Sequence, residues 1–261
     1  MTARTHAGTA LLVLLAGTLT GCASGPSTFA QANNDREVSA RESAPEFFED
    51  VVIGTLYDDR GVPRYQSNVA DLTNEEIADE LRDMQALDEK LVRESTEFHT
   101  PTPGELARVE EIDRSHAARL AEIVETIGWP TRELVGADAA QGAFVVVQHA
   151  GHDPEFQSQC LALMVDEVER GTLPSAYVAL LTDRIRMFAG QPQVFGTQMT
   201  FAQSSDGFAR CAPATPIEDP ANLDARRELM GLPPHDVFVS KLEEAYQAQH
   251  GGAFATVITD N

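Results

Sequence analysis

The chain has 261 residues, of which 41 are acidic and 19 are Lys or Arg, and its formal net charge at pH 7 is −22. A surface this acidic repels phosphate backbones and anionic headgroups, which argues against binding of nucleic acid and against peripheral lipid binding. The hydrophobic fraction is ordinary at 43%, so the chain can bury one good core and we expect a single domain.

The first 22 residues, MTARTHAGTALLVLLAGTLTGC, predict export and lipid anchoring. Arg4 precedes an apolar run that is too short for a permanent transmembrane helix, as in a secretory signal peptide of residues 1–21. LTGC resembles the bacterial lipobox, whose cysteine is lipidated and becomes the mature N-terminus. The resemblance implies a lipid on Cys22 that tethers the protein to the cell envelope, at the outer membrane facing the periplasm if the cell is Gram-negative. An ordinary signal peptide with a chance cysteine is the alternative.

Residues 22–44 are small and polar without an apolar period, which predicts a flexible tether. A single mainly helical domain is predicted over 45–250, with a short amphipathic element at 46–52 and a C-terminal tail at 251–261.

Two capping boxes, TNEE from Thr73 and TPGE from Thr102, introduce two runs of helical periodicity. Each run has about 24 residues, and the segment HTPTP separates them. We therefore predict an antiparallel helical hairpin within region 46–127. Its apolar stripes are Ile77, Leu81, Met84, Leu87 or Asp88, and Leu91, and then Val109, Ile112, His116, Leu120, Ile123 and Ile127.

Helix stop and start signals divide the rest of the chain. A helix over about 138–148 is ended by Gly151, and Asp153 with Pro154 begins another that reaches Gly171. Further helices are predicted over 174–190, from Asp219 to 230, and from 234 to about 250. Apolar and polar residues alternate in QVFGTQMTFAQ and in FARCA, as in two β-strands, and SSDG between them predicts a turn. The predicted fold class is mainly α, with a small two-stranded β-hairpin insert.

Several short motifs in the second half of the chain resemble a bacterial domain family of unknown function. The resemblance covers about residues 128–235 and supports a real domain, but it implies no reaction, ligand or catalytic residue. The motifs are GWPT (128–131), QHAGHDPEFQ (148–157), LTDR (181–184), QPQ (191–193), GTQ (196–198), PIEDP (216–220) and GLPP (231–234).

The corner at residues 148–153 suggests metal ligands. His149 and His152 could offer two nitrogen ligands and Asp153 an oxygen ligand, with Asp183 or His116 completing the shell. The competing interpretation is a helix-to-helix corner in which Asp153 is the N-cap. No complete ligand motif is present, so no cofactor is evident. If these residues bind a cofactor, a divalent metal ion is the kind that suits them.

Asp183 and Arg184 interrupt apolar stripes of one predicted helix, so each must be paired or reach a wet cleft. We expect their partners among His149, His152, Gln191 and Gln198. The set would be either a buried polar network or the lining of a ligand pocket. The candidate pocket residues are Gln148, His149, His152, Asp153, Asp183, Arg184, Gln191 and Gln198.

Three other residues leave alternatives open. His116 lies in an apolar stripe and is either a hydrogen-bonded core histidine, a pH sensor or a metal ligand. Cys160 and Cys211 either form a disulfide, which an oxidising compartment favours, or remain separate thiols.

The predicted function is that of a lipid-anchored cell-envelope protein of unknown specific activity. Its domain would act as a binding or interaction module, with a polar pocket around His149, His152 and Asp183. The alternative is a metal-dependent or hydrolase-like enzyme that uses the same residues, although no GxSxG, SxxK or phosphate-binding glycine motif occurs.

Overall fold

The computed structural model describes residues 55–97, 102–203 and 209–250, and the chain is mainly helical over them. This confirms the predicted fold class. The predicted signal peptide, the tether, the element at 46–52 and the C-terminal tail lie outside the described residues. No described helix combines the length and apolar character needed to cross a bilayer.

A short antiparallel ribbon comes first, with strands β1 (Thr55–Tyr57) and β2 (Pro63–Tyr65). Its turn is closed by the Asp58 carboxylate, which accepts from the backbone N–H of Arg60 at 2.9 Å and of Val62 at 3.0 Å. The ribbon is absent from the sequence prediction because strands of three residues are too short to show an alternating pattern.

The predicted helical hairpin is confirmed as α1 (Asn74–Glu97) and α2 (Pro103–Ile127). Both capping boxes form: Thr73 exchanges bonds with Glu76, and Thr102 does the same with Glu105. Each box satisfies orphan N–H groups at a helix start. Gly128 ends α2 with a φ of 76°, a conformation that glycine adopts without strain.

Two contacts define the antiparallel register of this hairpin. Near one end Glu80 of α1 pairs with Arg119 of α2, and toward the other Leu91 packs near Ile112 in a small apolar cluster beneath the β-ribbon. Asp88 and Asp113 therefore fall between these two contacts, on facing sides of the hairpin.

A short helix α3 (Arg132–Val135) leads to α4 (Ala137–His149), which lies at the centre of the domain. Every residue of α4 from Ala139 to Gln148 except Gln141 is buried. A helix that is apolar on all sides must be covered on all sides. Helices α1, α2, α5 (Pro154–Glu169) and α6 (Ser175–Phe188) supply that cover, and together they form the main core.

The predicted β-hairpin is confirmed as β3 (Met199–Gln203) and β4 (Ala209–Pro213), paired antiparallel. The helix predicted from Asp219 is shorter than expected, because Pro220–Asn222 form a 3₁₀ turn before α7 (Leu223–Leu229). The last helix, α8 (His235–His250), packs against β4.

Candidate functional site

Helices α1 and α4 run side by side in the same direction and approach closely at Gly142. A Cβ atom at this position would lie 2.4 Å from the carbonyl oxygen of Leu81, so the approach requires glycine. Two helical turns further along each helix, Asp88 stands beside His149. Asp88 Oδ1 and His149 Nδ1 are 2.6 Å apart, so the glycine contact brings the two side chains within bonding distance.

Asp113 of α2 completes a group of three. One ligand atom from each of Asp88, Asp113 and His149 lies within 4.8 Å of the other two. Burial raises the pKa of Asp113 to about 6, and the Asp88 carboxylate adds to this effect, whereas His149 and Arg184 oppose it. Within the described part of the chain, Asp113 makes neither a hydrogen bond nor an ion pair. We refer to Asp88, Asp113 and His149 as the triad.

His116 lies one turn beyond Asp113 on the same face of α2, and its side chain borders the same space as the triad. The residue is 5% exposed, and it makes no hydrogen bond to any described residue. Burial lowers the pKa of His116 to about 4, with a further contribution from His149, while Asp88 opposes the shift. The ring is therefore neutral at pH 7. Within the residues that the structure describes, His116 therefore lacks the hydrogen bonds expected of a core histidine.

Arg184 supplies a positive charge close to the triad. Its Nε donates to the carbonyl oxygen of Gln148 at 2.6 Å, and its guanidinium stands over the Phe188 ring at 5.6 Å from the centroid. Burial lowers the pKa of Arg184 to about 10, although Asp113 and Asp88 partly oppose this. Arg184 thus stays charged and offsets one of the two carboxylates.

The space between these side chains is narrow. It is bordered by the triad, His116, Val145 and Val146, and it has essentially no volume for a water-sized sphere. A closed group of carboxylates and imidazoles around so small a gap can hold an ion or a shared proton. It cannot admit an organic substrate without rearrangement.

Asp183 has other partners than those predicted, since its carboxylate faces the loop that follows α6. It accepts from the backbone N–H groups of Val194 at 2.7 Å, Phe195 at 3.1 Å and Thr197 at 2.9 Å, and from the Thr197 hydroxyl at 2.9 Å. None of these donors is one of the predicted partners. Asp183 anchors the loop, and backbone amides satisfy its buried charge.

His152 and Asp153 are also separate from the triad. Asp153 is the N-cap of α5 and accepts from the backbone N–H of Phe156 at 3.0 Å, which confirms the corner interpretation for this residue. His152 lies with Arg114 and the Ala117 face of α2 in an open groove of about 450 Å³. Burial lowers the pKa of His152, and Arg114 adds to the effect. Of the two histidines at this corner, His149 is the one that belongs to the triad.

The glutamines divide into three kinds of environment. Gln198 accepts from Arg184 Nη1 at 3.4 Å, as expected, and its backbone N–H donates to Gln193. Gln191 is exposed. Gln148 is fully buried, and neither its Nε2 nor its Oε1 has a hydrogen-bond partner in the described part of the chain, which is rare for a buried amide.

Cys160 and Cys211 carry free thiols, so the structure does not form the disulfide that an oxidising compartment would favour. Cys160 is fully buried in the main core, whereas Cys211 lies on β4, with its Sγ 3.9 Å from the Val239 carbonyl oxygen of α8. Burial raises the pKa of Cys160 to about 12 and that of Cys211 to about 11. The two cysteines belong to different packing regions.

Asp88 and Asp113 are missing from the residues predicted from the sequence, although a signal for both was present. Asp88 takes an apolar position in the stripe of α1, and Asp113 lies three residues before His116 on the inner face of α2. A charge within an apolar stripe is the same signal that singled out Asp183 and Arg184.

Comparison with known proteins gives one match. Searches of curated proteins and of solved structures return nothing significant. The sequence model of one family, described as a family of unknown function, matches residues 71–250. This match includes the helical hairpin and all three triad residues, and is thus wider than the resemblance over 128–235. The chain belongs to this family, DUF6624.

Proposed function

We propose that the domain is a metal-dependent binding module and that the triad binds one divalent metal ion. The observation that carries the proposal is the convergence of Asp88, Asp113 and His149 from three helices, with their ligand atoms within 4.8 Å of one another. Two ligand atoms that each lie about 2.1 Å from an ion are separated by at most about 4.2 Å. A small movement of these side chains therefore suffices to close the group around an ion, with the 2.6 Å contact between Asp88 Oδ1 and His149 Nδ1 opening to admit it.

The charges and bonding of the triad favour a cation. Two carboxylates, those of Asp88 and Asp113, converge on this space, and the His116 ring that borders it is neutral at pH 7. Asp113 has no partner in the described residues, and a half-buried carboxylate gains from an opposite charge. An ion shared by Asp88 and His149 would replace the proton between their facing atoms.

A metal-binding assay tests this proposal. Full-length protein, purified in detergent and stripped with a chelator, is expected to take up one equivalent of Zn²⁺ or Mn²⁺ by calorimetry and elemental analysis. Asp113→Asn should lower the affinity roughly tenfold or more, because it removes one charged ligand and no existing hydrogen bond.

The matched control is Asp166→Asn on the exposed face of α5, which removes the same charge away from the triad. It should leave the affinity unchanged. The proposal is wrong if the wild type takes up no ion, or if Asp166→Asn weakens binding as much as Asp113→Asn does.

We also propose that a lipid on Cys22 holds this module at the cell envelope, on the strength of the LTGC sequence and the signal-like segment before it. Cys22→Ser is expected to abolish labelling by a fatty-acid analogue and to move the protein out of the membrane fraction. Cys211→Ser changes another cysteine in the same way and should leave both results unaltered. Retention of Cys22→Ser in the membrane fraction, with labelling intact, would contradict lipid anchoring.

A second candidate function is proton transfer, favoured by the 2.6 Å contact between Asp88 and His149. A carboxylate that orients an imidazole is the arrangement of a general-base histidine. The narrow space beside His149 favours the ion, since a substrate atom would need room within reach of the imidazole.

A further inference from the structure

His116 is a buried polar side chain without a hydrogen-bond partner among the described residues, and it borders the same space as the triad. The residue is 5% exposed and borders the space that Asp88, Asp113 and His149 enclose. Buried polar groups are hydrogen-bonded in the great majority of cases, so an imidazole without a bond to any described residue needs another explanation.

We propose that His116 is a fourth ligand of the ion and that the site selects a transition-metal ion of the Zn²⁺ class over Mg²⁺ and Ca²⁺. This inference rests on the proposed function of the triad. His116 lies outside the group of atoms within 4.8 Å, so its ring must turn toward the ion when the ion binds.

The helical geometry supports a shared ligand role for Asp113 and His116. Residues three apart on a helix are neighbours on one face, so α2 presents a carboxylate and an imidazole to the same point. Asp88 comes from α1 and His149 from α4. With the His116 ring turned toward the ion, four ligands from three helices would surround one point, as a four-coordinate ion requires.

The composition and size of the site favour the Zn²⁺ class. Imidazole is a good ligand for Zn²⁺, Fe²⁺ and Ni²⁺, whereas Mg²⁺ and Ca²⁺ prefer oxygen donors. Mg²⁺ keeps several waters in an octahedral shell, and Ca²⁺ takes six to eight oxygen ligands. The narrow space cannot hold such a shell. A closed tetrahedral site with four protein ligands needs no additional room.

Co²⁺ serves as the spectroscopic probe of this coordination. Full-length protein loaded with Co²⁺ is expected to show the strong visible absorption of a tetrahedral ion. The X-ray absorption spectrum of the Zn²⁺ form is expected to show two imidazole ligands. A large excess of Mg²⁺ or Ca²⁺ should not displace the Co²⁺. In His116→Gln the absorption should weaken, and the affinity for Zn²⁺ should fall roughly tenfold or more.

His152→Gln is the matched control, because His152 lies three residues from His149 but in the separate groove. It should leave the Co²⁺ spectrum unchanged. A wild type that binds neither Co²⁺ nor Zn²⁺ refutes the metal-binding module itself. A wild type that binds Zn²⁺ through one imidazole, or that releases Co²⁺ to Mg²⁺, refutes only the role of His116 and the selectivity. The imidazole count needs no variant, so it decides the question even if His116→Gln does not fold.

Discussion

Glu80→Gln is expected to destabilise the protein by about 3–5 kcal/mol, because it leaves a buried arginine without its main counter-charge. Arg119 meets both oxygens of Glu80, through Nε at 2.7 Å and Nη2 at 2.9 Å, and both side chains are 1% exposed. Burying two charges is costly in itself. The pair matters for stability because removing one partner alone leaves the other charge buried and uncompensated. Urea denaturation of the purified protein measures the change in the free energy of unfolding.

Glu122→Gln is the internal control for this prediction, since Glu122 contacts the same guanidinium at 2.6 Å but its side chain is 60% exposed. Its loss should cost less than about 1 kcal/mol. Replacing the pair together, by Glu80→Leu with Arg119→Met, should destabilise less than Glu80→Gln alone. Equal losses for Glu80→Gln and Glu122→Gln would mean that burial does not determine the strength of this ion pair.

Asp183→Asn is expected to lower the stability by about 3 kcal/mol, since an amide nitrogen would then face backbone N–H donors. The wild-type carboxylate accepts from three backbone N–H groups and one hydroxyl in the loop at residues 194–197. Bonds from neutral donors to a charged acceptor contribute more than neutral pairs, and an unsatisfied buried donor carries its full desolvation cost. Chemical denaturation together with amide hydrogen exchange of the loop measures both the global and the local effect.

Asp166→Asn, which removes an exposed carboxylate on α5, should leave the stability and the exchange unchanged. If Asp183→Asn were equally neutral, the carboxylate would not be what holds this loop. The metal affinity of the triad should be retained in folded Asp183→Asn, because none of the bonds of Asp183 reaches Asp88, Asp113 or His149.

The helices were predictable because their signals are local. Thr73 with Glu76 and Thr102 with Glu105 mark helix starts within four residues, and Asp153 with Pro154 does the same for α5. The β1–β2 ribbon was not predicted because its strands of three residues are too short to show an alternating pattern; it is held by the Asp58 turn and by packing against the helical hairpin.

The site was predictable only in part because it depends on register between helices. His149 was identified as a candidate from the pair of histidines at the corner of residues 148–153, and His116 from its position in an apolar stripe, whereas Asp88 and Asp113 were not identified. Both lie on the inner faces of their helices, but among 41 acidic residues only the pairing of α1 with α2 shows that these two face each other. The partners predicted for Asp183 were wrong for a similar reason. The sequence shows that a buried charge needs partners, but it does not show that backbone N–H groups of a later loop will provide them.

Gly142 has a consequence for how much length variation the domain can tolerate. Asp88 lies seven positions after Leu81, and His149 lies seven positions after Gly142, so both helices advance equally between the two contacts. One inserted or deleted residue in either interval would rotate the following side chain by about 100° around its helix axis. Related chains that keep the triad can therefore differ in side chains along these intervals, but each interval must keep its length of seven positions.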